Sequence, residues 1–108
     1  MKQNEHGIMT QIKNFLEYRG YYVQRLNAGR YPMGEGKDRR FVVGVRAGTP
    51  DLMAFKKKKS GDTHLLFVEV KAGRNVPTDL QDRVMTELED HGAQCIVAYG
   101  YEDVEKVI

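Results

Sequence analysis

Two acidic residues and one lysine are the residues of this chain best suited to chemistry, because they interrupt apolar strands. Glu69 and Lys71 lie in the stretch LLFVEVKAG, residues 65–73, which begins apolar on both faces. Side chains two apart on a strand point to one face, so Glu69 and Lys71 share a side. Burying unpaired charge is costly, so stability alone does not recommend them. The alternative is that the strand has reached the sheet edge, where both are solvated neighbours.

Asp51 is the second acidic residue, and the loop between the two middle strands decides what it faces. A three-residue loop at 59–61, with Gly61 in the left-handed conformation, would place Asp51 opposite Glu69. Facing carboxylates destabilise a sheet unless positive charge lies between them. A divalent cation such as magnesium would supply it, because such ions bind carboxylate oxygens, a backbone carbonyl and waters. A two-residue turn would instead place Asp51 opposite Val70.

Two longer helices should flank these strands. Apolar residues at steps of three and four after Asn4, a possible N-cap, predict a first helix with one buried stripe that ends at Gly20. The segment Thr78–His91 predicts a second helix that ends at Gly92. The residues expected to face inward on this second helix are Leu80, Val84 and Leu88.

The remaining segments alternate in type, which indicates an α/β architecture. Residues 28–38 are rich in glycine and hold a proline, so they predict a mobile loop. Glu102–Ile108 predicts a short final helix. No repeat or second domain is evident, so residues 1–108 are expected to form one domain. The predicted strands are Tyr21–Leu26, Arg39–Val45, Asp51–Phe55, Leu65–Lys71 and Gln94–Tyr99.

Composition excludes several classes of protein. The 108 residues are 41% apolar and 30% charged, which is typical of a soluble globular protein. No apolar run is long enough for a membrane span, and Met1 opens a polar segment rather than a signal peptide, so a cytoplasmic protein is expected. The one cysteine, Cys95, excludes a disulfide framework and a cysteine-based zinc site; a core thiol is a better interpretation than a nucleophile.

The charges are unevenly distributed, although the net charge is only +2. Residues 19–59 hold eleven lysines and arginines against three acids, whereas residues 75–108 hold eight acids against two basic residues. Such a distribution predicts one basic face for a polyanion. Lys56–Lys59 alone is better explained as a hairpin tip whose lysines block edge pairing.

Pro50-Asp51, followed after 18 residues by Glu69-x-Lys71, resembles the signature of the PD-(D/E)xK nuclease superfamily. Its surroundings are similar to the virus-type replication-repair nuclease domain, VRR-NUC, from Glu5 to about Val104. The resemblance implies a restriction-endonuclease-like fold with a central mixed sheet flanked by helices, in a stand-alone member of phage or bacterial type. The matching segments are GVRAGTPDLMAF, FVEVKAG, Thr78-x-x-Gln81 and HGAQCIVAYGYEDV.

The same resemblance assigns roles to residues. Asp51, Glu69 and the carbonyl of Val70 would bind Mg²⁺ or Mn²⁺, and Lys71 would lie beside the attacking water and the scissile phosphate. Phosphodiester hydrolysis requires this set, since the metal lowers the pKa of water and stabilises charge on phosphate oxygens, and a cation must lie near the nucleophile. The catalytic residues implied by the family are Glu5, Asp51, Glu69, Lys71 and Gln81.

Two members of that set have structural alternatives. Glu5 lies three residues before Ile8 on the buried stripe, so it could point towards the metal, but an acid in a first turn also complements the helix dipole. Gln81 stands three residues after Thr78, which is the spacing of a capping box, so its amide could close on the helix N-terminus instead.

The expected partner is branched DNA. Four arginines lie near the proposed site in sequence, and they could either contact phosphates or be ordinary surface charges, with equal weight. They are Arg39, Arg40, Arg46 and Arg74. Stand-alone members of the family are associated with cutting four-way junctions, which requires two related cuts and therefore favours a homodimer. Cleavage of flaps, cleavage of RNA and DNA binding without catalysis are the alternatives. The apolar residues that could meet a partner subunit are Tyr21, Tyr22, Val23, Phe41 and Val43.

Overall fold

A computed structural model describes residues 4–26 and 30–108, with residues 30–33 and 41–43 as backbone only. The helices are α1 (Glu5–Tyr18), α2 (Asp79–Asp90) and α3 (Tyr101–Glu105). The strands are β1 (Tyr22–Arg25), β2 (Arg30–Met33), β3 (Arg40–Val43), β4 (Leu52–Lys57), β5 (Thr63–Val70) and β6 (Gln94–Ala98).

The main sheet has four strands in the order β1-β4-β5-β6. β1 and β5 each pair antiparallel with β4. β5 and β6 pair parallel with each other, and helix α2 forms the crossover connection between them. The mixed sheet flanked by helices confirms the predicted fold class. β5 is an inner strand and is buried over residues 66–70, as its apolar sequence predicts.

A three-residue loop joins β4 to β5. The N–H of Lys58 donates to the carbonyl of Asp62 at 2.7 Å, and Gly61, at φ +96°, donates its N–H to the carbonyl of Lys58 at 2.9 Å. Glycine suits this left-handed position because it has no side chain to clash with the backbone. The resulting register pairs Leu52 with Val68, and therefore sets Asp51 opposite Glu69.

One face of the sheet packs against α1 and α3. Asn4 caps α1, since its side-chain oxygen accepts the N–H of Gly7 at 2.8 Å. The stripe predicted for this helix is confirmed, and its residues are buried against alternate residues of β4 and β5. This core consists mainly of Ile8, Ile12, Leu16, Leu52, Ala54, Leu66, Val68, Val70, Ala98 and Val104.

The opposite face is covered by α2, but not by all the residues predicted to face inward. Val84 and Met85 are buried, whereas Leu80 remains 41% exposed. A Cβ on Gly48 would lie 2.8 Å from Cγ of Leu80 and 2.9 Å from Cγ2 of Val84, so both side chains pack on the turn that precedes β4. The prediction of an inward-facing Leu80 is wrong, because this residue stays exposed at the start of α2 whereas Val84, one turn later, is buried.

The segment predicted as a loop at 28–38 is partly ordered backbone. β2 pairs antiparallel with β3 as a separate two-stranded ribbon, and a 3₁₀ turn at Gly36–Asp38 lies between them. The sequence did not predict β2 because the strand contains Pro32 and is followed closely by Gly34 and Gly36, and both residue types are normally rare in strands. Residues 28 and 29 of the predicted loop lie outside the described part.

Two further sequence expectations concern Cys95 and the membrane. The Cys95 thiol donates to the carbonyl of Met85 at 3.5 Å, and burial, reinforced by the charge of Glu89, raises its pKa to about 11. A thiol so protonated suits the core and is a poor nucleophile. Within residues 4–26 and 30–108, no helix is both long and apolar enough to cross a membrane.

Candidate active site

The site lies where the β4–β5 ladder ends. If the register is continued beyond Leu52, Pro50 lies opposite Val70. Proline has no N–H, so it cannot donate a hydrogen bond to the carbonyl of Val70. A side chain replaces the next backbone acceptor of β4: Oδ2 of Asp51 accepts the N–H of Val70 at 2.8 Å. The proline therefore ends the regular ladder, and the aspartate side chain is held against the backbone of β5.

Glu69 is the buried centre of the site, with only 3% of its surface exposed. Its Oε1 accepts a hydrogen bond from Nε2 of Gln81 at 3.1 Å and lies 3.6 Å from Nζ of Lys71, whose side chain is 12% exposed. Its Oε2 is buried and has no hydrogen-bond partner among the described residues. Buried carboxylate oxygens are normally paired, so this oxygen is a candidate ligand for a cation.

The electrostatics of Glu69 agree with this geometry. Burial raises the pKa of Glu69 to about 7, and the neighbouring charge of Asp51 contributes to the rise, whereas Lys71 opposes it. One ammonium therefore does not compensate the two carboxylates. The site favours additional positive charge or a proton.

Gln81 has both of the roles that its sequence position suggests. Its backbone N–H donates to Oγ1 of Thr78 at 3.2 Å, and its Oε1 accepts the N–H of Thr78 at 2.9 Å, which completes a capping box. The carboxamide nitrogen remains available and donates to Glu69. The two interpretations of the sequence are therefore compatible, because the amide has a separate acceptor and donor end.

Glu5 is exposed on the first turn of α1, but it lines the same cavity as Asp51. This cavity of about 180 Å³ is also lined by His6, Met9 and Arg25. Sequence reasoning missed Arg25, since only the pairing of β1 with β4 brings it next to Asp51. Glu5 can reach a group bound in this cavity.

The four candidate arginines lie in different surroundings. Arg39 and Arg40 are exposed at the start of β3, and Arg74 is exposed in the connection between β5 and α2. Arg46 forms a two-pronged ion pair with Glu87 on α2, so a phosphate would have to displace that carboxylate. All four side chains are therefore exposed, and Arg46 differs from the other three by its ion pair with Glu87.

The residues present fit a magnesium or manganese ion. Asp51 and Glu69 offer two carboxylates, one with a buried oxygen that has no partner among the described residues, and the register opposes Val70 with Pro50, which cannot donate to its carbonyl. The described residues contain no group of three or more histidine, cysteine or acidic side chains placed to hold a metal. Magnesium needs no larger group, since it commonly keeps several waters and binds one or two carboxylates together with substrate phosphates.

The mixed sheet with this strand order defines the protein class as a restriction-endonuclease-like nuclease fold. The family model of the VRR-NUC domain matches residues 5–102, and the chain belongs to that family. A solved structure described as a VRR_NUC domain is similar over 95% of this chain and 91% of its own, with 27% identity and a TM-score of 0.64. No curated protein matches the chain.

Proposed function

We propose that this VRR-NUC protein is a metal-dependent, structure-specific DNA endonuclease that resolves four-way junctions as a homodimer. The observation that carries the catalytic part is the buried Oε2 of Glu69, which lies beside Asp51 and Lys71 and has no hydrogen-bond partner in the described part of the chain. A structural ion pair would satisfy both oxygens of a buried carboxylate, because an unpaired one costs stability.

Each residue of the site has a distinct proposed role. Asp51, Glu69 and the Val70 carbonyl would hold Mg²⁺ or Mn²⁺, which when bound lowers the pKa of a water and stabilises charge on phosphate oxygens. Lys71 directs its ammonium to the same side of β5 as Glu69, where it orients the attacking water and attracts the scissile phosphate. Gln81 holds Glu69 in place, and Glu5 contributes a carboxylate from across the cavity that it shares with Asp51.

DNA would be held by exposed cations. Arg39, Arg40 and Arg74 are exposed and carry no structural ion pair with the described acids. Such side chains bind backbone phosphates without reading sequence, which suits an enzyme that recognises branched shape. Arg46 would join them once phosphate displaces Glu87.

Dimerisation is supported by an apolar patch at the edge of the main sheet. β1 is an edge strand, and Tyr22 is 59% exposed there while its ring packs on Phe55 at a centroid distance of 5.1 Å. Tyr21 and Val23 pack partly on the core, and the side chains of Phe41 and Val43 lie outside the described residues. An exposed aromatic pair beside an open strand edge is a surface that a second copy could cover.

The decisive experiment combines mass and cleavage. Light scattering should give twice the mass of the chain, and an immobile junction labelled on each strand in turn should be cut on two opposing strands when Mg²⁺ is present. A Tyr22→Glu change should abolish the dimer and the paired cuts, whereas Tyr18→Glu, on another exposed tyrosine, should not. A monomeric mass with cleavage of flaps would establish the flap nuclease instead, and cleavage of RNA alone would reject the DNA assignment.

A further inference from the structure

The N-cap of α2 is connected to Glu69 through one carboxamide. Thr78 accepts the backbone N–H of Gln81 at Oγ1 and donates its own N–H to Gln81 Oε1, at 3.2 and 2.9 Å. The amide nitrogen of Gln81 then donates to Glu69 Oε1 at 3.1 Å. Three hydrogen bonds thus link a helix end to the buried carboxylate.

The chemistry of the cap decides which way the carboxamide faces. The backbone N–H of Thr78 can only donate, so it selects the oxygen of the Gln81 amide and leaves the nitrogen for Glu69. The reverse orientation would set donor against donor at Thr78 and oxygen against oxygen at Glu69. The side chain is therefore fixed as a donor towards the site.

This fixed donor makes the two oxygens of Glu69 inequivalent. Oε1 receives the hydrogen bond from Gln81 and lies 3.6 Å from the Lys71 ammonium, whereas Oε2 is buried without a partner among the described residues. A carboxylate free to rotate would exchange its oxygens between the two environments. The contact from Gln81 opposes that rotation and keeps one oxygen free.

We propose that Thr78 is a positioning residue of the metal site: its hydroxyl holds the backbone N–H of Gln81 and its own N–H holds the Gln81 carboxamide, which keeps Glu69 with Oε2 free to bind the cation. This inference rests on the proposed metal-dependent function. Thr78 itself touches neither metal nor substrate. Partners that orient metal-binding side chains in this way commonly affect metal affinity by about 10- to 100-fold when they are removed.

Thr78→Val tests the proposal, because valine keeps the shape and the N–H but removes the hydroxyl that accepts from Gln81. Titration of the purified protein with Mn²⁺ by calorimetry, well below the melting temperature, should show affinity reduced about tenfold, with kcat lowered and the KM for DNA unchanged. Thr78→Ser retains the hydroxyl and should restore both the Mn²⁺ affinity and kcat.

A control separates positioning from simple helix capping. Asn4→Ala removes the equivalent cap of α1, a side-chain acceptor for Gly7, and should lower the melting temperature by a similar amount without changing Mn²⁺ affinity. If Thr78→Val lowers the melting temperature like Asn4→Ala but binds Mn²⁺ as the wild type does, Thr78 is a cap and the proposal is overturned.

A second measurement needs no metal and stays informative if Thr78→Val unfolds. In the NMR spectrum of metal-free wild-type protein, the Gln81 side-chain NH₂ should exchange slowly with solvent, and Thr78→Ser should preserve this protection while Gln81→Asn abolishes it. Rapid exchange in the wild type would overturn the positioning role. Slow exchange without any Mn²⁺ binding would retain the fixed amide but reject the proposed metal function.

Discussion

The two ends of the β4–β5 hairpin hold polar side chains in opposite ways. Near the tip, His64 is part-buried and both ring nitrogens are satisfied, by Tyr21 Oη and by Gln94 Oε1, each at 2.6 Å. At the far end of the same strands, Glu69 is more deeply buried and one of its oxygens has no partner among the described residues. The same ladder can therefore satisfy a part-buried polar residue, and the unpaired oxygen of Glu69 is what the proposed metal site predicts.

The two ends of the hairpin also differ in how their charged side chains are stabilised. The lysines of the tip are exposed, and Lys56 donates to the carbonyl of Arg19 at 2.7 Å, at the end of α1 where a cation complements the helix dipole. At the other end, two carboxylates share a single ammonium in a site of low exposure. The tip carries charge that water stabilises, whereas the site carries charge that a bound cation or a proton would stabilise.

The largest expected effect on cleavage comes from replacing one aspartate by asparagine at the site end of the hairpin, with the same change at its tip as the comparison. Asp51→Asn should reduce cleavage by about 10³-fold or more, because removing a metal-binding carboxylate forfeits several kcal/mol of transition-state stabilisation. Asp62→Asn, in the exposed loop, should cleave at the wild-type rate. Cleavage of a labelled junction in saturating Mg²⁺ measures both, with circular dichroism to verify folding. Equal rates for the two variants would remove the proposed mechanism.

The next effect is a dependence of stability on pH between about 4.5 and 7 that arises from Glu69 at the site end. Glu69 has a folded-state pKa of about 7 against an ordinary value of 4.5, so in metal-free protein the folded state keeps its proton while the unfolded state loses it. The free energy of unfolding should therefore fall as pH rises from about 4.5 to about 7, by about 3 kcal/mol at most, and then level off.

Glu69→Gln provides the matched comparison for this pH effect. The variant lacks the titrating group, so the slope between pH 4.5 and 7 should decrease, and at pH 8 without metal it should be more stable than the wild type. Denaturant unfolding at several pH values measures this, and added Mg²⁺ should stabilise only the wild type. Parallel pH profiles for the two proteins would show that the Glu69 carboxyl is not strained.

Much of this fold could be predicted from the sequence where local chemistry decides. Gly61 fitted both loop lengths that the sequence left open, and the structure has the three-residue loop, whose register sets Asp51 opposite Glu69. Thr78 and Gln81 likewise indicated the capping box. These features depend on contacts within a few residues, so the residue types narrow them to one or two arrangements.

Features set by distant contacts could not be predicted. The place of Arg25 beside Asp51 follows from the pairing of β1 with β4, and Leu80 packs on a turn at Gly48, which is remote in sequence. Strand β3 was predicted, but its partner β2 was hidden by Pro32 and by the glycines of the segment around it. The second contact of Gln81 with Glu69 also needed the docking of α2, because a capping spacing alone does not say what the free end of the amide meets.

The smallest expected effect concerns the tip, where Lys56–Lys59 line a cavity of about 490 Å³ together with Tyr21 and His64. If these lysines bind DNA, replacing Lys57, Lys58 and Lys59 by glutamine should weaken binding and reduce the slope of log affinity against log salt. The reduction should be about 0.9 for each phosphate that the variant no longer neutralises. Fluorescence anisotropy between about 50 and 200 mM salt measures this slope, and wild-type affinity should itself fall by orders of magnitude over that range.

Two variants outside the tip are the controls for this salt dependence. Asp51→Asn, which lacks the catalytic carboxylate, should keep the wild-type slope, and so should Lys106→Gln, which removes a lysine near Asp103 at the end of α3. An unchanged slope in the triple lysine variant, together with increased aggregation, would instead show that these lysines protect the hairpin from edge pairing. The tip and the site would then differ completely, one serving solubility and the other catalysis, rather than sharing the task of holding DNA.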